Sequence, residues 1–141
     1  MTRNYHELIK DRIFMGGADD AEEATKKEQI DLVFDLRAEA SNPNAAYTRI
    51  HSPIVDNEGD QDQSIKASID QVVAAYNEGK NIYFHCQGGS NRTGTVAVGT
   101  LFELDQAKTL EEAETIAKQA RPKINVKPEM MESLRKLYPQ K

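Results

Sequence analysis

The sequence predicts an α/β protein in which helices flank a central, mainly parallel β-sheet. Short apolar runs alternate along the chain with segments of helical periodicity, a pattern typical of strands joined by helical crossovers. One apolar run, residues 81–85, leads through a glycine-containing loop into an apolar helical segment. The 141 residues contain no repeat, low-complexity tract or linker, so we expect a single domain over residues 1–141.

Four strands are predicted from apolar runs bounded by turn or loop residues. They cover residues 12–15, 30–36, 49–55 and 81–85. Within the second and the last run, Leu32-Val33-Phe34 and Ile82-Tyr83-Phe84 have no polar interruption. This favours strands that are buried on both faces, as in a parallel sheet covered by helices.

Five helices are predicted from apolar periodicity and capping residues. They run from Asp19 or Asp20 to about residue 28, from 64 to 79, through 96–104, from 109 to about 120, and from 128 toward 138. The second is the clearest, because its apolar residues fall on one helical face. Thr109 and Glu112 form a capping-box pattern, and Pro128 suits the first position of the last helix.

Charge and composition exclude several classes of protein. A formal net charge of −5 argues against binding of the nucleic-acid backbone, which needs a basic surface. No apolar run is long enough for a membrane span, and no targeting signal is visible, so we expect a cytoplasmic protein. Residues 1–62 contain 7 basic and 14 acidic side chains, whereas residues 115–141 contain 7 basic and 2 acidic. In that basic region Arg121, Lys123 and Lys127 either line an anion site or form a solvated turn.

The stretch most informative about function joins the last predicted strand to the following helix. It consists of His85, Cys86, Gln87, Gly88, Gly89, Ser90, Asn91, Arg92, Thr93 and Gly94. A loop of this length can turn its backbone N–H groups inward, making an anion nest that the helix dipole reinforces. Gly88 and Gly89 permit the positive-φ conformations that such a nest requires. The spacing therefore predicts a phosphate-binding loop.

Side chains of this loop supply the chemistry. The field at a helix N-terminus favours the thiolate of Cys86, and the thiolate is the nucleophilic form of cysteine. Arg92 offers a planar fork that binds two phosphate oxygens and stabilises charge during transfer. Thr93 can hydrogen-bond the sulfur. An unpaired cysteine is often an inert core residue, but the glycine loop and the arginine favour a catalytic role here.

These residues resemble the protein tyrosine phosphatase superfamily, whose motif is His-Cys, five residues, Arg, and then Ser or Thr. Residues 12–17 and 32–37 are similar to the first strands of small dual-specificity phosphatases, so the resemblance spans nearly the whole chain. It implies that Cys86 forms a phosphocysteine intermediate and that residues 87–91 bind the phosphate together with Arg92. It also implies that Thr93 stabilises the leaving thiolate and that His85 supports the loop.

The resemblance also implies a general acid, an aspartate on a loop about thirty residues before the cysteine. Such an acid protonates the departing oxygen of a phosphomonoester. Asp56 follows a predicted strand and fits best, while Asp60 and Asp62 are rivals on the same predicted loop and Glu58 is a weaker one.

The predicted substrate is a phosphorylated protein or a small phosphomonoester, hydrolysed without a metal or another cofactor. The histidines have no metal-ligand spacing. Phosphoinositides, inositol phosphates and RNA 5′-phosphates are alternative substrates, but the uncharged residues 87–91 disfavour polyanions. A module that binds phosphorylated ligands without hydrolysis is a further alternative, which the intact cysteine and arginine disfavour. Oligomeric state is not indicated by the sequence.

Overall fold

A computed structural model describes residues 5–36, 49–52, 54, 61–86 and 90–138. The strands are β1 (His6–Ile9), β2 (Ile13–Gly16), β3 (Leu32–Asp35), β4 (Arg49–His51) and β5 (Ile82–His85). The helices are α1 (Ala21–Lys27), α2 (Gln61–Asn77), α3 (Asn91–Glu103), α4 (Leu110–Ala120) and α5 (Pro128–Leu137). A single 3₁₀ turn, Ala18–Asp20, precedes α1. Among the helices of these residues, none is both long and apolar enough to cross a membrane.

The five described strands form one sheet in the order β1-β2-β5-β3-β4. Strand β5 lies at the centre and pairs in parallel with β2 and β3, and β4 pairs in parallel with β3. Only β1, at the edge, is antiparallel to its neighbour. The predicted α/β fold with a mainly parallel central sheet is therefore confirmed.

Apolar side chains fill both faces of the sheet. The larger cluster includes Phe34, Ile82 and Phe84 of the central strands together with residues of α2, α3, α4 and α5. A smaller cluster on Tyr83 of β5 includes Phe14 of β2 and alanines of α1. Because successive residues of a strand point to opposite faces, the uninterrupted apolar runs place one set of side chains in each cluster.

Several predicted boundaries shift. Strand β1 was not predicted, since its sequence His6-Glu7-Leu8-Ile9 lacks an apolar run and it depends on pairing with β2. Helix α3 begins at Asn91, ahead of its apolar segment 96–104, so Arg92 and Thr93 belong to its first turn, in agreement with the helix start predicted at the end of the loop. Strand β4 ends at His51, but Ser52 N–H still donates to Asp35 O at 2.9 Å.

The capping predictions have mixed outcomes. Thr109 Oγ1 accepts from the Glu112 N–H at 3.0 Å and caps α4 as expected. Asp20 occupies the N-cap position of α1 but its side chain makes no capping hydrogen bond, so neither suggested aspartate caps that helix through its side chain. Gly79, just beyond α2, has φ of 87°, a left-handed conformation that ends a helix at little cost for glycine.

Replacing Gly16 with alanine is expected to lower the free energy of unfolding by about 1–3 kcal/mol, the usual cost of overpacking. A Cβ at Gly16 would clash with the Tyr83 hydroxyl and lie 3.2 Å from Tyr5 Cα. Denaturant unfolding of Gly16→Ala, Tyr83→Phe and the double variant measures the effect. Because Tyr83→Phe removes the clashing oxygen, the double variant should lose less stability than the two single losses summed. Strict additivity would contradict this account.

Candidate active site

The site lies at the carboxyl edge of the parallel strands. Gly16 of β2, His85 of β5, Asp35 of β3 and His51 of β4 form one register row across the sheet. Chain segments that leave a parallel sheet at this edge converge on one surface, where α/β proteins bind their ligands. Cys86 follows His85 directly and therefore leaves the sheet at the centre of that surface.

Cys86 and Thr93 are in direct contact. The Thr93 hydroxyl donates to Cys86 Sγ at 3.1 Å, and the same oxygen accepts from the Cys86 N–H at 2.9 Å. Both residues are buried, with Cys86 only 4% exposed. One hydroxyl therefore joins the end of β5 to the first turn of α3 and offers the sulfur a hydrogen-bond donor, which favours the anionic form of the thiol.

The His85 side chain is buried behind the strand end rather than presented to solvent. Its Nδ1 lies 3.0 Å from Cys86 O. Since a carbonyl only accepts, Nδ1 carries the hydrogen and donates it. The ring also lies 5.9 Å from the Tyr83 ring, centroid to centroid. These contacts hold the backbone at Cys86.

The remaining residues of the predicted phosphate loop divide into two groups. Ser90, Asn91 and Arg92 lie at the start of α3 and are partly buried, with Ser90 at the N-cap position. Gln87, Gly88 and Gly89 lie outside the described residues. Arg92 thus stands at a helix N-terminus, where unpaired backbone N–H groups and the helix dipole favour an anion.

Of the candidate acids, the structure describes only Asp62. Asp56 and Asp60 lie outside the described residues, as does Glu58. Asp62 was predicted to lie on the polar loop with them, but it belongs to the first turn of α2, because that helix begins at Gln61 and not at residue 64. The earlier start is stabilised by Gln61 Nε2, which donates to Ser133 Oγ of α5 at 2.8 Å.

The chain leading toward Asp56 is held firmly. The hydroxyls of Ser52 and Ser68 are hydrogen bonded at 2.8 Å, and Gln71 Nε2 donates to Ser52 Oγ at 3.1 Å. Ile54 is fully buried, and its N–H donates to Leu36 O at 3.1 Å. These contacts fix the strand end that enters the predicted acid loop from β4.

A segment after α4 also reaches the start of α3, and the local charge pattern had left open whether its basic residues line the site or form a solvated turn. The Lys127 N–H donates to Asn91 Oδ1 at 2.9 Å, although the two residues are 36 positions apart. Arg121 is not part of a solvated turn, which was the other interpretation of the basic region. It is 1% exposed, and its Nη1 donates to His6 Nδ1 at 2.9 Å. A local charge pattern cannot distinguish a buried guanidinium from a solvated one.

Comparison with known families identifies the class of protein. The family model for the dual specificity phosphatase catalytic domain matches residues 13–140. The chain therefore belongs to the dual-specificity phosphatase family and is a cysteine-dependent phosphatase. None of the curated protein sequences matches it.

Solved structures share the fold at low sequence identity. Human DUSP28 is 20% identical with a TM-score of 0.79, and the match covers 96% of this chain and 93% of that one. DUSP15 is 17% identical with a TM-score of 0.82, covering 96% and 88%. PTPMT1 in complex with PI(5)P is 18% identical with a TM-score of 0.76, covering 94% and 93%.

Proposed function

We propose that this phosphatase hydrolyses phosphotyrosine, phosphoserine or phosphothreonine in proteins, with Cys86 as its nucleophile. The observation that carries the proposal is the contact between the Thr93 hydroxyl and Cys86 Sγ at the junction of β5 and α3. A donor on the sulfur and a helix N-terminus beside it both favour the thiolate. An inert core cysteine has no need of either.

In the first step the Cys86 thiolate attacks phosphorus. The sulfur–phosphorus bond forms as the bond to the leaving oxygen breaks, and Asp56 donates its proton to that oxygen. Arg92 binds two of the non-bridging oxygens, and the backbone N–H groups of residues 87–91 stabilise the transferring group with it. The product is a phosphocysteine and a free hydroxyl.

In the second step Asp56, now a carboxylate, removes a proton from water as the water oxygen attacks phosphorus. The sulfur–phosphorus bond breaks and phosphate leaves. The Thr93 hydroxyl, 3.1 Å from Sγ, stabilises the thiolate that departs. His85 takes no proton in either step. Its bond to Cys86 O supports the position of the nucleophile.

The uncharged loop side chains support a phosphoprotein rather than a polyanionic substrate. Residues 87–91 contain no lysine or arginine, and a substrate with several phosphates gains from cations around its pocket. PTPMT1, which shares this fold, binds PI(5)P, so a phosphoinositide is the second candidate substrate. We place the enzyme in the cytoplasm, where reducing conditions keep a reactive thiol free.

A substrate panel tests the proposal. We expect hydrolysis of p-nitrophenyl phosphate and of phosphotyrosine, phosphoserine or phosphothreonine peptides, undiminished by a chelator. Soluble PI(5)P is measured beside them. Release of phosphate from PI(5)P alone would replace the protein substrate with a lipid one. Binding of phosphopeptides without any turnover would leave only a phosphate-binding module.

The aspartates differ in their expected effects. Asp56→Ala should lower kcat for phosphoserine peptides by about 10²–10⁴-fold, the usual contribution of a general acid. The loss should be smaller for p-nitrophenyl phosphate, whose leaving group needs little protonation. Asp60→Ala and Asp62→Ala serve as matched controls in the same assay. If either control shows this leaving-group dependence and Asp56→Ala does not, the acid is misassigned.

A further inference from the structure

A basic edge borders the start of α3. In the segment 121–127 the side chains of Arg121, Ile124 and Val126 are buried, and those of Lys123, Asn125 and Lys127 are exposed. The buried side chains point into the protein. The two lysines are consequently presented to solvent on one side of the segment.

Hydrogen bonds fix this edge against the end of the phosphate loop. The Lys127 N–H donates to Asn91 Oδ1 at 2.9 Å, and the Asn125 N–H donates to Ser90 O at 3.3 Å. Ser90 and Asn91 directly precede Arg92 in the chain. The backbone of Lys127 is therefore held one residue away from the proposed phosphate clamp.

Close packing beneath the segment reinforces this placement. A Cβ at Gly94 would lie 2.8 Å from Cγ2 of Ile124 and 2.8 Å from Cγ2 of Val126. Only glycine allows α3 and the segment to approach so closely, and a side chain there would push the basic edge away from the loop. Within the segment, the Ile124 N–H donates to Arg121 O at 3.0 Å.

The two ammonium groups are available for a ligand. Neither Lys123 nor Lys127 forms an ion pair within the described part of the chain. The whole chain has a formal charge of −5 and repels anionic substrates at long range. Two exposed cations beside the loop oppose that repulsion locally.

We propose that Lys123 and Lys127 are specificity-determining residues that select phosphopeptides with an acidic residue flanking the phosphorylated one. The inference rests on the proposed phosphatase function of the adjoining loop. Because the backbone of this edge is bonded to Ser90 and Asn91, residues that flank the phosphorylated one would pass close to it when the phosphate occupies the loop. A carboxylate there can pair with a lysine ammonium. The flexible lysine side chain can follow a carboxylate whose position varies from peptide to peptide, because it does not require the fixed two-point geometry of arginine.

The test compares two phosphotyrosine peptides that differ only in their flanking residues, glutamate and aspartate in one and glutamine and asparagine in the other. We expect the wild type to prefer the acidic peptide by about tenfold in kcat/KM at low salt, mostly through KM, the scale of two exposed ion pairs. Lys127→Gln should reduce that preference about threefold, the scale of one such pair, and Lys123→Gln combined with Lys127→Gln should bring it close to one. Raising the ionic strength should weaken the wild-type preference, because exposed charges are screened.

Matched variants separate local recognition from total charge and from structure. Lys136→Gln removes the same charge from an exposed position at the far end of α5 and should retain the preference. Lys127→Arg keeps the charge and should retain it as well. An equal loss in Lys136→Gln, or a preference unchanged in the double variant, would overturn the inference.

Two further outcomes distinguish a failure of this inference from a failure of the proposed function. A wild type that hydrolyses p-nitrophenyl phosphate but shows no preference for the acidic peptide would overturn this inference alone. A wild type without turnover of any phosphomonoester would overturn the proposed function and this inference with it. Vesicles containing PI(5)P are assayed in parallel. If PI(5)P hydrolysis, and not the peptide preference, depends on the two lysines, the edge recognises a membrane surface and the phosphopeptide proposal is wrong.

Discussion

Cys86→Ser is expected to lower kcat for p-nitrophenyl phosphate by at least about 10⁴-fold, the scale on which loss of a catalytic nucleophile acts. A serine hydroxyl is much less acidic than a cysteine thiol and would stay protonated, whereas the cysteine sulfur accepts a hydrogen bond from Thr93 at 3.1 Å. Steady-state hydrolysis with the chelator present gives the measurement.

The serine variant should still fold and bind. Oxygen is smaller than sulfur and leaves the buried environment of residue 86 largely intact, so the thermal midpoint should shift by only a few degrees. Inorganic phosphate should still protect the variant against thermal unfolding, because the helix N-terminus and Arg92 remain. Activity within tenfold of wild type in the folded variant would show that Cys86 is not the nucleophile.

Thr93→Val is expected to lower kcat by about 10²–10³-fold, the usual cost of removing one preorganised hydrogen-bond donor from a catalytic site. Valine has nearly the same shape but lacks the hydroxyl that donates to Sγ and accepts from the Cys86 N–H. The departing thiolate loses its donor, so breakdown of the phosphocysteine should become rate-limiting. Rapid mixing should then show a stoichiometric burst of p-nitrophenol followed by slow turnover.

A second threonine of α3 provides the matched control. Thr100 is buried, and its Oγ1 has no hydrogen-bond partner among the described residues. Thr100→Val makes the same substitution far from Cys86 and should keep full activity with unchanged or higher stability, since it removes an unsatisfied polar group. Thr93→Ser should retain most activity. If Thr93→Val shows no burst and no slower turnover, the hydroxyl has no role in the second step.

Strands with strong local signals were predictable, and the edge of the sheet was not. Ile82-Tyr83-Phe84 is apolar on both faces, so its burial between two layers follows from its residues alone. His6 and Glu7 of β1 are polar and partly exposed, and this strand forms because β2 offers it hydrogen-bonding partners. An edge strand depends on its neighbour more than on its own composition.

Helix starts also differ in whether the local sequence reveals them or a distant contact determines them. Thr109 caps α4 through its own side chain, three residues from the N–H that it binds, so the sequence reveals it. The start of α2 at Gln61 depends on Ser133 of α5, 72 residues away. Nothing in the local sequence around Gln61 signals that contact. The predicted polar loop therefore extended two residues too far and included Gln61 and Asp62.

The family could be recognised from the sequence alone, and the reactive centre could be predicted from it, because the loop from Cys86 to Thr93 is short and its chemistry depends on local spacing. The residues that pack around the described ends of that loop follow from the tertiary structure. It buried Arg121 against His6, 115 residues away, and placed Lys127 beside Asn91. Contacts of this kind depend on how helices pack across the sheet, and the pattern of any one segment does not contain that information.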